Sequence, residues 1–405
     1  MQQRPVRSIT ILVVVAALAT LGSVQAAAQA PDSGTTPLEA LDRLFSSEAI
    51  DPSWFSPLLL EQVSLAQLEF IIAQISTGLG EYQGVSESGQ QFLVLFENGD
   101  VPTIITLDAQ GRIVGLFFQP PRLRVTGLTD AVAAFEELPG EVSVVVYSPS
   151  GELAAINPDK PLAVGSAAKL AILAALEHQI QAGARSWDDV VLLEEDWKSL
   201  PSGVLQQWPA GSPLTLHTLA TQMISISDNT ATDGLIRILG REAIEPYSPR
   251  NIPFLTTRET FTLKDPANAE FLERYRAADP QGRLAILEEI KDLPVPDVSL
   301  FTSDPVAIDI EWYLTTRELC GLMSLVRHLD LMSINPGVAS ADDWEKVSYK
   351  GGSEPGVLNL TTWLDTADGG FYCVSATWNN PEAPLDELKF FTLYSTLVEE
   401  LKKLN

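Results

Sequence analysis

The stretch Leu162-Ala-Val-Gly-Ser-Ala-Ala-Lys-Leu-Ala-Ile172 places Ser166 and Lys169 three residues apart in an otherwise apolar segment. Strong helix formers continue to Ala182 and Gly183 follows, so the sequence predicts a buried central helix that begins at Ser166. An isolated Ser-x-x-Lys pair is most often an N-cap beside a solvated lysine. Here the apolar neighbours argue against a simple exposed turn.

The predicted position of Ser166 suits a nucleophile. The first amides of a helix are unpaired and lie at the positive end of its dipole, where an oxyanion is stabilised. Lys169 lies on the same helix face, and a desolvated lysine with a lowered pKa can accept a serine proton. We therefore predict that Ser166 is the catalytic nucleophile and that Lys169 is its base.

A second motif, Ser227-Asp228-Asn229, joins two predicted helices, Leu214 to Ile224 and Thr230 to Leu239. Ser227 could relay a proton from Lys169 to a leaving group. Asn229 could hold a substrate amide or the lysine itself. The alternative is an N-capping loop in which Asp228 or Asn229 satisfies the first amides of the second helix.

A third motif, Lys350-Gly351-Gly352, ends a predicted strand and is followed by Ser353. Two successive residues without Cβ let another backbone come close. The Ser353 amide could then join the Ser166 amide in an oxyanion hole, with Gly352 and Ser353 contributing to substrate binding. Lys350 could supply a positive field, or it could be a solvated lysine beside a glycine turn.

Residues 34–122 predict a small α+β domain, because helices are followed by an antiparallel meander. The predicted helices are Leu38 to Phe45 and Leu65 to Gln74, with Ser64 as the N-cap of the second. The predicted strands are Gln91 to Phe96, Thr103 to Leu107 and Arg112 to Phe118. The chain divides near Gln119-Pro120-Pro121-Arg122.

Residues 126–405 predict an antiparallel sheet with a helical lobe and a cleft between them, because strands lie at both ends of a helical region. A hairpin signal comes first and a final helix runs from Leu385 to about Leu401. The predicted strands are Val142 to Tyr147, Glu152 to Ile156, Val347 to Tyr349, Val357 to Leu364 and Phe371 to Thr377.

Acidic residues outnumber basic ones by 53 to 26, giving a formal net charge of −27. This charge repels a phosphate backbone and supplies no polybasic membrane anchor, which argues against nucleic-acid binding. The expected partner is a small-molecule or peptide substrate, and the oligomeric state is left undecided.

The N-terminus has the pattern of a secretory signal, residues 1–30. Arg4 and Arg7 precede an apolar run from Ile9 to Leu21, and we expect cleavage between Ala26 and Ala30. An uncleaved anchor is disfavoured because the run is shorter than the ~20 residues that span a bilayer. The sequence predicts an exported protein, periplasmic, cell-envelope or extracellular, with no stable membrane insertion after cleavage.

Only Cys320 and Cys373 are present, the first in a helical pattern and the second in a strand pattern. Export permits a disulfide, but we predict two separate buried thiols in preference to a bridge. Two cysteines and the scattered His178, His217 and His328 provide no zinc-ligand spacing, so neither a metal nor another cofactor is expected.

The three motifs, in this order and strand-helix-strand context, resemble the class A β-lactamase and penicillin-binding-protein superfamily from about Thr126 to Asn405. The resemblance implies a β-lactamase/transpeptidase-like fold and an acyl-enzyme on Ser166, with Lys169, Ser227 and Lys350 as catalytic partners. Asn229 would be a substrate ligand, and the Ser166 and Ser353 amides would bind the oxyanion. The two-domain layout is similar to β-lactamase-like proteins of clavulanic-acid-type clusters, which implies a cystatin-like or NTF2-like N-terminal domain.

Two positions depart from the family pattern. The third motif usually has Thr or Ser where this chain has Gly351, and that hydroxyl binds the carboxylate of a β-lactam. Class A enzymes also activate the deacylating water with a loop glutamate followed by Leu-Asn, which we do not find. Glu259 is the nearest candidate for a deacylation base, although an ion pair or a helix-start charge is the favoured interpretation, and Glu318 fits a capping box.

The sequence therefore predicts an exported serine hydrolase that acts on an ester, amide or β-lactam. Two alternatives stay open. One is a D-Ala-D-Ala carboxypeptidase or penicillin-binding protein, which needs no deacylating glutamate. The other is a weakly catalytic penicillin-recognising sensor or binding protein.

Overall fold

The computed structural model describes residues 34–89, 91–301 and 304–405. The predicted signal peptide lies outside these residues. Within the described chain no helix is both long and apolar enough to cross a bilayer. The chain forms two compact units. The first contains the described residues through Gly127 together with Leu388–Glu400, and the second contains Leu128–Glu387 and Leu401–Asn405.

The first unit packs helices against an antiparallel sheet with strand order β1-β2-β3-β4, in which β5 pairs with β3. Its helices are α1 (Pro37–Ser46), α2 (Pro57–Gln62) and α3 (Leu65–Leu79). Its strands are β1 (Tyr82–Ser88), β2 (Gln91–Phe96), β3 (Gly99–Leu107), β4 (Ile113–Phe118) and β5 (Arg122–Leu123). The sequence missed β1, whose residues are mostly polar or small.

The N-cap that the sequence predicts in the first unit is present in the structure. Ser64 caps α3 in a capping box with Gln67, which confirms the predicted N-cap. The core lies between helices and sheet and includes Leu44, Leu68 and Phe96. Arg122 forms ion pairs with Asp100 at 2.5 Å and Glu399 at 2.6 Å, which join β5 to the C-terminal helix.

The second unit is α+β, as predicted, with a five-stranded antiparallel sheet in the order β12-β13-β14-β6-β7 and a helical lobe. Its strands are β6 (Glu141–Ser148), β7 (Gly151–Ile156), β8 (Leu162–Ala163), β9 (Val190–Leu192), β10 (Pro213–Thr215), β11 (Tyr313–Leu314), β12 (Lys346–Glu354), β13 (Val357–Asp365) and β14 (Phe371–Asn379). Its helices are α4 (Leu128–Ala133), α5 (Lys169–Gln181), α6 (Leu216–Ser225), α7 (Asn229–Leu239), α8 (Arg241–Ile244), α9 (Thr257–Lys264), α10 (Ala269–Ala277), α11 (Pro280–Ile290) and α12 (Thr316–Val326). Helix α13 (Glu387–Lys402) closes the chain and lies mainly in the first unit.

The central helix is buried from Lys169 to Glu177, as predicted, but it begins later than expected. Regular α-helix starts at Lys169, and Ser166 lies in a short 3-10 turn, Gly165–Ala168. The two segments share one helical path, so Ser166 still precedes Lys169 by about one turn. Buried side chains of α5 such as Leu170 and Leu173 form the centre of the second unit's core.

The prediction of two separate thiols is wrong. Cys320 in α12 and Cys373 in β14 form a disulfide, with their Cα atoms 6.0 Å apart. Helix α12 packs against β13 and β14, which brings the two residues within bridging distance. Their sequence separation of 53 residues gave no sign of this contact.

Candidate active site

Ser166 lies in a turn whose preceding residue, Ala163, is held by two hydrogen bonds. The side chain of Asn379 accepts a hydrogen bond from the Ala163 amide at 2.8 Å and donates one to the Ala163 carbonyl at 2.9 Å. Gly165 has a φ of 49°, a left-handed conformation that favours glycine. Ser166 is half-buried while its neighbours Gly165 and Ala167 are buried. Of these three residues, Ser166 is therefore the one that remains partly accessible.

The end of β12 touches the Ser166 turn, as the two glycines predict. A Cβ built on Gly352 would lie 2.1 Å from the Val164 carbonyl oxygen and 2.6 Å from the Ser166 nitrogen. A Cβ built on Gly165 would lie 3.4 Å from the Ser353 nitrogen. Only a glycine at position 352 allows this approach, which brings the Ser353 amide close to the Ser166 turn.

Lys169 is buried and its amine lies within hydrogen-bond distance of three oxygens. Lys169 Nζ donates to the Ser227 carbonyl at 2.6 Å, to Ser227 Oγ at 3.0 Å and to Asn229 Oδ1 at 2.7 Å. Burial lowers the pKa of Lys169 to about 7, although the charges of Asp233 and Asp228 oppose the shift. A substantial fraction of this amine is therefore neutral near pH 7 and can accept a proton.

Ser227 Oγ stands between two amines. Lys350 Nζ donates to this oxygen at 3.1 Å and to the Gly351 carbonyl at 2.5 Å. Burial, and then the charge of Lys169, hold the pKa of Lys350 well below its usual range. Two cations so close repel each other, so the site favours a state with at least one neutral amine.

The loop that carries Ser227 is strained and held from several sides. Ser227 has a φ of 58°, which is uncommon for a residue with a side chain and is typical of functional sites. Ser202 Oγ donates to the Ser227 carbonyl at 2.7 Å. Asp228 caps α7 by accepting from the Ala231 amide at 2.8 Å, which confirms the capping interpretation. Asp228 also accepts from two amides of the loop at Val204 and Leu205.

The sequence did not reveal Asp233, whose carboxylate is buried on α7. Asp233 accepts from the amides of Thr257 at 2.7 Å and Arg258 at 2.9 Å, and from Thr257 Oγ1 at 2.9 Å. Burial raises the pKa of Asp233 to about 7. The signal that could have revealed it is an aspartate four residues after Asn229 on the same face of the predicted helix, where a buried carboxylate needs partners.

Glu259 does not join the site. It forms a capping box with Thr256 at the start of α9 and an ion pair with Arg241. Its side chain is 7% exposed. The contacts therefore support the ion-pair and helix-start interpretation rather than a deacylation base. Glu318 likewise caps α12 with Thr315.

The structure thus places Lys169, Ser227, Asn229 and Lys350 in one hydrogen-bonded cluster and packs Gly352 against the Ser166 turn. Among the described residues no group of His, Cys, Asp and Glu is arranged to hold a metal ion.

The model of the β-lactamase enzyme family matches residues 127–260. The match includes Ser166, Lys169, Ser227 and Asn229, whereas Lys350 lies beyond it. It confirms the superfamily resemblance that the three motifs indicate. No curated protein matches the chain.

Solved structures similar to this chain include a β-lactamase from Sphaerobacter thermophilus, at 21% identity and a TM-score of 0.48. That alignment covers 69% of this chain and 97% of the other. A β-lactamase from Chitinophaga pinensis aligns at 15% identity and a TM-score of 0.43, covering 68% and 97% of the two chains. The protein PBP-A aligns at 17% identity and a TM-score of 0.45, covering 70% and 99%.

Proposed function

We propose that this β-lactamase-family domain is an exported serine hydrolase that forms an acyl-enzyme on Ser166 and hydrolyses an ester, amide or β-lactam. The observation that carries the proposal is the buried amine of Lys169, which is hydrogen-bonded to Ser227 and Asn229 and has a pKa lowered to about 7. Burying an amine beside a second lysine is unfavourable for stability, and perturbed groups of this kind cluster at catalytic sites.

Acylation in this scheme begins with neutral Lys169 accepting the proton of Ser166 Oγ. The oxygen attacks the substrate carbonyl, and the Ser166 and Ser353 amides bind the developing oxyanion. Ser227 then passes its hydroxyl proton to the leaving group and receives the proton held by Lys169. The leaving group departs protonated, Lys169 returns to its neutral form, and the acyl group remains on Ser166.

Deacylation is the slower half of the proposed cycle. The carboxylates that act electrostatically on Lys169 are Asp233, Asp228 and Glu354. Backbone amides engage both oxygens of Asp228 and of Asp233, and Lys264 pairs with Glu354. None of these three is free to activate water. This observation favours a second candidate, a penicillin-binding protein or D-Ala-D-Ala carboxypeptidase with a long-lived acyl-enzyme.

The decisive experiment is intact-protein mass spectrometry of the mature protein after mixing with benzylpenicillin, a cephalosporin or an activated short-chain ester. We expect a covalent adduct whose peptide map places it on Ser166. Decay of the adduct with product release would support the hydrolase, and persistence would support the penicillin-binding alternative. An adduct on another residue, or none with any probe, would contradict acyl transfer at Ser166.

The acylation rate should follow the fraction of Lys169 that is neutral as the pH changes. Below its pKa of about 7 the amine is protonated and cannot accept the Ser166 proton, so the rate falls as the pH decreases. Above that value the rate should level off. The measurement is the acylation rate constant with benzylpenicillin between about pH 5.5 and pH 9. A rate that increases only near pH 10, where an ordinary lysine titrates, would contradict the prediction.

A further inference from the structure

A cavity of the second unit lies outside the cluster around Ser166. Its volume is about 310 Å³, near the lower end of the range for small-molecule sites. It is lined by the loop that leads to α9, by helices α10 and α11, and by the segment that leads into β11. The described residues that line it are all distinct from Lys169, Ser227, Asn229 and Lys350.

The buried part of the cavity lining is mostly apolar. Leu255, Tyr275 and Trp312 are 5%, 4% and 7% exposed. Pro253 and Ile310, which are also buried, extend this surface. The indole of Trp312 is fixed because it donates to the Leu255 carbonyl at 3.2 Å. Such a lining favours the apolar body of an organic ligand over an inorganic ion.

Three arginines line the cavity, and carboxylates already compensate two of them. Arg276 donates two hydrogen bonds to Asp309, at 2.8 Å and 2.7 Å. Arg250 contacts both oxygens of Glu318 at 2.6 Å. The third arginine, Arg283, is therefore the cation that a ligand could use.

Arg283 is half-buried, and no carboxylate of the described chain forms an ion pair with it. Its Nε donates to the Tyr275 carbonyl at 3.2 Å, and its Nη1 contacts the Ile252 carbonyl at 3.5 Å, which is long for a hydrogen bond. Its guanidinium lies 4.9 Å from the centre of the Tyr275 ring. Among the residues that the structure describes, Nη2 has no hydrogen-bond partner. The guanidinium is thus held in place while its charge stays uncompensated.

We propose that this cavity is a second binding site, which takes a small monocarboxylate with an apolar body and pairs its carboxylate with Arg283. A guanidinium forms short, charge-assisted hydrogen bonds with a carboxylate, so the ligand would supply the partner that Arg283 lacks. The lining also contains Asp309 and Glu311, so one uncompensated cation suits a single negative charge better than a phosphate dianion. The apolar body would lie against Tyr275 and Trp312.

The test is a titration of the mature protein with fluorophenylacetate, followed by fluorine NMR. We expect saturable binding. The neutral fluorophenylacetamide should bind about 10-fold more weakly or worse, because a hydrogen bond between charged groups is lost. Inorganic phosphate should not displace the acid. Arg283→Gln should weaken binding of the acid about 10-fold or more and leave binding of the amide nearly unchanged, which a collapsed cavity would not do.

Three further variants locate the site, and melting temperatures show that each is folded. Arg274→Gln is the matched control, since Arg274 is 43% exposed in its ion pair with Glu289 and does not line the cavity. It should bind the acid as the wild type does. Lys350→Met should do the same, because Lys350 belongs to the Ser166 cluster. Arg283→Lys keeps the cation without the planar fork, so it should retain part of the preference for the acid.

Four results would overturn the proposal. Equal affinities of the wild type for acid and amide would show that no carboxylate is recognised, and a failure to saturate would show that there is no site. Loss of binding in Lys350→Met but not in Arg283→Gln would place the acid at the Ser166 cluster. Displacement by phosphate would contradict the choice of a monocarboxylate. The acyl transfer proposed at Ser166 is tested separately, by the covalent adduct, and stands or falls independently of these results.

Discussion

Replacing Lys169 by methionine should slow acylation of Ser166 by about 100- to 10,000-fold, the usual contribution of a positioned general base. Methionine keeps much of the side-chain volume in a position that is 3% exposed, but it cannot accept a proton. The rate constant for adduct formation with benzylpenicillin, measured by mass spectrometry, gives the effect directly. The melting temperature shows whether the variant is folded.

Two controls give this result its meaning. Ser166→Ala should form no adduct at all, because the attacking oxygen is absent. Lys160→Met should react at the wild-type rate, since Lys160 is 41% exposed and its ion pair with Glu141 lies on the surface. Acylation of Lys169→Met at the wild-type rate would remove Lys169 from the mechanism and leave the base unassigned.

Replacing Lys264 by methionine should lower the free energy of unfolding by about 3 kcal/mol or more. Lys264 Nζ contacts Glu311 and Glu354, and the three side chains are 1%, 0% and 16% exposed. Burial opposes the charge of Lys264, but the two carboxylates outweigh it and raise the pKa of the amine, whereas burial, and then the neighbouring Glu354, raise the pKa of Glu311. Lys264 therefore stays charged near pH 7 and compensates the carboxylates that it contacts. The variant would leave these carboxylates without their cation.

Urea unfolding of the variants at pH 7 measures this loss. Lys264→Met/Glu354→Gln should be more stable than Lys264→Met alone, because one of the two carboxylates left without a cation is removed with the lysine. Lys291→Met serves as the matched control, since Lys291 is 49% exposed in its pair with Glu288. Its effect should stay below about 1 kcal/mol. Equal unfolding midpoints for Lys264→Met and Lys291→Met would show that the buried cluster contributes little to stability.

The sequence by itself identified the structural features that depend on residues close together in the chain. The capping box at Ser64, the hairpin β6 to β7 and the buried helix after Ser166 all follow from short patterns. The reason is that capping and helix periodicity act within one or two turns of chain. The three motifs, read in order, also identified the superfamily and the residues that cluster at the site.

Only the tertiary structure decided which distant residues meet. It paired Cys320 with Cys373 and enclosed Asp233 among the amides that follow Thr256. The sequence around Asp233 does not show which residues become its partners. Such contacts depend on how helices and strands pack, and the energy of a buried charge or donor is set by the groups that packing brings to it.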